Sequence, residues 1–152
     1  MSHKINLQIK ATPTILLVEE DNGSRALLTE AFRQEGYRLL VASSLEDAKE
    51  WVSFEHNAQA DLLLVNLIRK TPEEVIKLGR ELRKHAKYDS RTPLVVMAEN
   101  ATSGLDGQDV NVDENDWICY SDDDSHQLHR LVARLITRLD STDSVRKGVY
   151  DV

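Results

Sequence analysis

The chain has 152 residues, 41% of them hydrophobic, with 19 basic against 26 acidic side chains and a net charge of -7. One domain of this length buries roughly 70% of the surface its unfolded form exposes, while a net negative surface repels nucleic acid and anionic lipid and so excludes direct DNA binding and a membrane-surface role. A single cysteine, Cys119, excludes an internal disulfide and fits a reducing compartment as a buried, inert thiol.

In chain order, residues 1–12 precede Pro13 and are expected to form a flexible arm. MSHKINLQIK lacks the charged n-region and apolar h-region of a secretion signal, and no apolar run approaches the ~20 residues that span a bilayer, so a soluble, cytoplasmic protein is expected. The ordered part begins at TILLV, a strand over Thr14 to Val18. A helix over Asn22 to Glu35 follows, with Leu27, Leu28, Ala31 and Phe32 on one face and Gly36 as a left-handed terminator. Arg38 to Ala42 is the second strand. SLEDAKEWV, from Ser44, reads as a helix with Leu45, Ala48, Trp51 and Val52 as its apolar stripe.

Asp61 to Leu67, DLLLVNL, is the third strand, apolar except for its first acid and one asparagine. The next helix has the clearest start: in TPEE, Thr71 can cap, Pro72 sits in the first turn where its missing N–H is harmless, and Glu74 can reach back to the cap. Val75, Leu78, Leu82 and Ala86 supply its buried face, and Arg80, Arg83, Lys84, His85 and Lys87 its exposed basic side. Pro93 to Ala98 is the fourth strand. Residues 99–116, ENATSGLDGQDVNVDEND, are where a helix would complete the alternation; Gly104, Gly107 and the many Asp and Asn predict a loop or a frayed short helix instead. Trp117 to Tyr120 is the fifth strand, and Asp124 to Leu139 a last helix burying Leu128, Leu131, Val132 and Leu135. His126 and His129 share a face there, but two histidines without a third ligand are solvated far more often than metal-bound. Residues 141–152 are expected to be a flexible tail.

Strands that are apolar throughout, alternating with helices, predict an α/β fold: a doubly wound, five-stranded parallel sheet in three layers, α/β/α, within a single domain over 13–140. Functional groups of such sheets lie at the carboxyl ends of the strands, where strand order reverses. Those ends hold Glu19, Glu20 and Asp21, then Asn66, then Met97, Ala98 and Glu99, then Tyr120.

With ILLVEEDNGSRALL, ADLLLVNL, TPLVVMAE and the spacing to DWICYS, the chain from about 13 to 140 resembles the receiver domains of two-component response regulators, the flavodoxin-like CheY-type fold. The resemblance implies an acidic pair that holds magnesium at Glu19 and Glu20, and a phosphoacceptor aspartate at the position of Asn66. It implies a serine or threonine at Ala98, or at Met97 if the strand slips by one, and a lysine at Tyr120. It also implies an aromatic reporter of activation at Trp117, where a side chain covering the sheet edge is the plainer expectation. The proline usual four places past the acceptor is replaced by Lys70, and Ser121 stands where another is usual.

An amide cannot attack phosphorus as a carboxylate does, and loss of one anionic ligand weakens a site for a hard cation. The expected activity is therefore that of a degenerate, stand-alone pseudo-receiver: not an enzyme, without a cofactor, with magnesium weak at best at Glu19 and Glu20. It would act through another protein, a histidine kinase or other signalling partner, with a homodimer through apolar surface on the last helix also open. Two alternatives stand beside it. One is a phosphorelay regulator that still binds a cation at the acidic pair; the other, a small flavodoxin-like enzyme, lacks a Gly-rich phosphate loop at NGSR. For Asn66 the bland alternative is a strand-end cap bonded to backbone, and for Glu19 and Glu20 a solvated acidic loop. No second effector domain is seen in the chain, so output is expected to pass through surface contacts.

Overall fold

The computed structural model describes residues 12–54, 59–98, 104–121 and 126–137. The expected C-terminal tail and, except for Thr12, the expected N-terminal arm lie outside the described residues. The strands are β1 (Thr14–Glu19), β2 (Arg38–Ala42), β3 (Leu62–Asn66), β4 (Leu94–Ala98), β5 (Asp109–Asp113) and β6 (Asp116–Tyr120). The helices are α1 (Asn22–Gln34), α2 (Leu45–Phe54), α3 (Pro72–His85) and α4, helical over 127–137.

The strands form one sheet in the order β2-β1-β3-β4-β6-β5, parallel except for β5, which runs antiparallel to β6. Alternate residues of the apolar strands enter two cores. Leu16, Val18, Leu63, Val65 and Val96 meet Ala48 of α2 and Val75 and Leu82 of α3 on one face. On the other, Ile15, Leu17, Leu62, Leu64 and Val95 meet Phe32 of α1 and Leu131 and Leu135 of α4. Burial of each such side chain contributes about 1.5–3 kcal/mol, so strands covered on both faces have no reason to alternate apolar with polar.

Helix ends follow local chemistry. Asp21 caps α1, its Oδ2 accepting from Ser24 N at 2.8 Å. The chain leaves α1 through Glu35 and then Gly36, whose φ of 97° suits a residue without Cβ. At α3, Glu74 N donates to Thr71 Oγ1 at 3.1 Å and Thr71 N to Glu74 Oε1 at 3.3 Å, completing the predicted capping box.

Among the described residues the sheet has six strands where five were expected, because the segment expected to be a loop or frayed helix contains β5. Gly104 and Gly107, with φ of 75° and 81°, do exclude a helix there. Beyond them D-V-N-V-D alternates with period two, and its Val110 packs on the core while Asp109 lies on the opposite face. Tyr120 N donates to Gln108 O at 2.9 Å, and Gly107 N to Tyr120 O at 2.7 Å, starting the ladder. Parallel neighbours such as β4 and β6 need a crossover, usually helical. Here the chain leaves β4, enters the sheet edge as β5 and turns back through a tight hairpin into β6.

Arg83 of α3 departs from its expected exposed role, its side chain being 13% exposed, whereas Arg80 stays exposed. Arg80 Nε and Arg83 Nη1 donate to the two carboxylate oxygens of Asp116, at 2.6 and 2.7 Å, and Asp116 is 2% exposed. They clamp the start of β6 to α3. An acid directly before the apolar run WICY is the trace of this in the sequence.

Candidate functional site

Strands β1, β3 and β4 are parallel, so their carboxyl ends open on one side of the sheet. β1 sits between β2 and β3, which places the reversal of strand order beside it and leaves a crevice there. The crevice is a cleft of about 720 Å³ lined by Glu19, Asp21 and Ser24, by Asn66 and the loop to Val75, and by Met97 and Ala98.

Glu19 closes β1 and is 0% exposed. The β1–β3 register sets it directly opposite Asn66, and its Oε1 accepts from Asn66 Nδ2 at 2.8 Å while Oε2 accepts from Asp21 N at 3.0 Å. A carboxylate only accepts, so the amide must turn its NH2 group toward it. Desolvating a carboxylate is costly unless its oxygens are bonded, and here both are.

The neighbouring acids are committed as well. Asp21 is exposed, and the Ser24 backbone N–H that it caps holds its carboxyl below the ordinary carboxylate value. Glu20 Oε1 accepts from Ile68 N at 2.5 Å, tying the loop after β1 to the loop after β3. Arg25 Nη1 donates to Glu19 O at 2.9 Å, and its other terminal nitrogen bonds Asn22 Oδ1. In the loop after β3, Arg69 adopts φ of 62°, the left-handed region that a side chain other than glycine rarely enters.

Of the residues singled out in the sequence, Glu19, Asn66 and Ala98 come together in the cleft. Glu20, Tyr120 and Trp117 are not part of its lining. Ala98 is 7% exposed and pairs in register with Tyr120, and its carbonyl accepts from Ser121 N at 3.0 Å. Burial, and then the charge of Glu73, push the Tyr120 phenol above its ordinary pKa of 10.0. Trp117 lies opposite Val95, one strand in from the edge that it was expected to cover. The Arg134 guanidinium sits 5.5 Å from its ring centroid, and its buried indole N–H has no acceptor among the described residues.

The family resemblance implies magnesium at this cleft. The donors do not fit it: both Glu19 oxygens face N–H groups, Asn66 presents nitrogen to Glu19, and Glu20 and Asp21 each serve a backbone N–H. A hard cation needs uncommitted anionic oxygens converging on one point. Among the described residues no group of three His, Cys, Asp or Glu side chains converges in that way.

No family model matches this sequence, and no curated protein does. Solved structures do match. A response regulator receiver protein from Sinorhizobium medicae superposes with a TM-score of 0.61 at 20% identity, covering 83% of this chain and 95% of its own. The receiver domain of a sensor histidine kinase from Pseudomonas aeruginosa, with a magnesium ion coordinated in its active-site cleft, gives 0.57 at 20% identity over 84% and 99%. The receiver domain of the hybrid histidine kinase CckA gives 0.55 at 23% over 81% and 98%. The fold is that of response-regulator receiver domains.

Relative to that receiver fold, two features of this chain escaped the sequence. Arg25 reaches the end of β1 from α1, six residues on, with no motif to mark it. His129, expected to be solvated, is instead inserted between helices: its Nδ1 lies 2.7 Å from Glu35 Oε1 and its ring stacks on Phe32 at 4.3 Å between centroids. The aromatic at position 32 and the acid just past α1 were visible, but not their nearness to α4. Among the described residues no helix is long and apolar enough to cross a membrane.

Proposed function

We propose that this chain is a receiver-fold signalling module that accepts no phosphoryl group and acts by binding another protein. The observation that carries the reading is the Asn66 carboxamide at the end of β3, bonded to Glu19 inside the cleft. Acyl phosphate formation needs a carboxylate nucleophile there and a cation to offset charge on the phosphoryl oxygens, and an amide supplies neither. Ala98 has no hydroxyl to follow a phosphoryl group, and Tyr120 has no ammonium to pair with one. Three positions of a receiver switch are therefore changed together while the scaffold is kept.

The module is a binding protein without catalysis of its own, with Asn66, Glu19, Glu20, Ala98, Trp117 and Tyr120 at the positions of a lost switch. Its partner is another signalling protein, a histidine kinase among the candidates. Self-association through α4 has little support, because Leu128, Leu131, Val132, Leu135 and Ile136 are buried against the sheet. The test is incubation with a small phosphodonor and magnesium followed by intact-mass measurement. No phosphoryl adduct is expected; one mapped to a residue of the cleft overturns the reading.

A further inference from the structure

We infer that Asn66 is a positioning residue whose amide NH2 occupies the electrostatic place of a cation, making the acidic cleft a cation-independent staple that one substitution would convert into a divalent-cation site. The inference deepens the function proposed above, yet it concerns the charge balance of the cleft alone and is tested separately from it.

The argument starts from Glu19. A carboxylate with no solvent exposure must find its compensation within the protein or bind a cation. It finds two N–H donors: the amide of Asn66, brought opposite by the strand register, and the main-chain N–H of Asp21, brought by the turn into α1. The amide dipole places partial positive charge 2.8 Å from Oε1, within the range of a charge-assisted hydrogen bond. The same pattern continues outward, with Ser24 N on Asp21 and Ile68 N on Glu20. Glu19, Glu20 and Asp21 thus each bond an N–H, and those bonds connect β1, α1 and the loop after β3.

An aspartate in place of Asn66 differs by one NH2 group replaced by an oxygen, but its consequence is large. Two carboxylates would face each other at hydrogen-bond distance in a site with one of them fully buried, which forces a proton to be shared or a cation to enter. The wild-type cleft, already balanced, gains nothing from a cation.

Thermal unfolding of the full chain, in chelator and in millimolar magnesium, tests this with three proteins. Wild type should unfold at the same temperature in both. Asn66→Ala, which removes the donor without adding charge, should unfold about 3–10 °C lower in both, from the loss of one bond to a buried charge. Asn66→Asp should be at least as destabilised in chelator, less so as pH falls toward the carboxylate range, and should recover most of the loss with magnesium through binding to the folded state. A magnesium-dependent rise in wild type equal to that of Asn66→Asp overturns the inference, as does Asn66→Asp that matches wild type in chelator. If Asn66→Ala fails to fold, the contrast between wild type and Asn66→Asp still decides. Phosphorylation of wild type would refute the proposed function and leave this result standing, so the two failures are separable.

Discussion

Glu19 shows how far a single side chain can be read in two ways. From the sequence it is one of an exposed-looking pair of acids between a strand and a helix; in the fold it is wholly buried, whereas Glu20 is half-buried and Asp21 exposed. The difference is register: the sixth residue of β1 still belongs to the sheet and sits opposite Asn66. Replacing Glu19 by leucine would leave Asn66 Nδ2 and Asp21 N without their acceptors. A fully buried donor left unsatisfied costs about 1–3 kcal/mol; here Asn66 is half-buried and Asp21 exposed, so water in the cleft replaces part of the lost bonding, and the added apolar burial returns some more. A net loss of about 1–3 kcal/mol is expected in urea unfolding; no loss would mean that the acid is not compensated as described. The sequence alone put Glu19, Asn66 and Ala98 at neighbouring strand ends but not their bonding, nor the loop residues after Asn66 that share the cleft, because the bond from Asn66 to Glu19 spans 47 positions and only the strand pairing reveals it.

At the scale of elements, α3 offers a case where two effects oppose. Gly79 lies inside the helix, where alanine ordinarily gains about 1 kcal/mol in propensity. A Cβ there would stand 2.7 and 2.8 Å from the two methyl carbons of Leu94, itself 0% exposed in β4. Overpacking of a fixed core side chain costs about 1–3 kcal/mol, so Gly79→Ala should be neutral to destabilising by about 2 kcal/mol, and Gly79→Ala with Leu94→Val should recover stability in the same denaturant titration. The helices and apolar strands were legible because burial on one face, or on both, imposes its own period. β5 was not legible because its two valines compete with a density of Asp and Asn that signals a loop, and because its partner β6 lies across a hairpin. Asp113 also suits an edge: it is 62% exposed on β5, and charge there disfavours a second copy adding a strand, whereas Asp109 accepts from Gln127 Nε2. Asp113→Val should therefore raise the concentration-dependent self-association seen by sedimentation above that of wild type; equal behaviour of the two would mean that this charge does not guard the edge.

Across the whole molecule the two ends of the sheet do different work. At the amino ends of the strands, Arg80 and Arg83 hold Asp116, and Asp61 Oδ2 accepts from Thr14 N at 2.7 Å, so the layers are pinned there by charge. At the carboxyl ends lies the cleft, where the acids are balanced by N–H groups. Between them the cores are apolar, and the groups most sensitive to pH there are phenols. Tyr88, just after α3, is buried in the core shared by α2 and α3, and desolvation pushes its pKa from 10.0 to about 12; Tyr37 and Tyr120 shift in the same direction. A phenol whose folded pKa is raised stabilises the fold fully below its unfolded value and loses that contribution as pH rises through the folded one. Stability should therefore hold up to about 10 and decline toward about 12. Tyr88→Phe should flatten this decline. Absorbance of tyrosinate followed alongside chemical unfolding checks it: ionisation of a tyrosine well above the value of the free side chain, lost in Tyr88→Phe, is the expected result, and equal alkaline sensitivity of the two proteins would assign the decline to other groups.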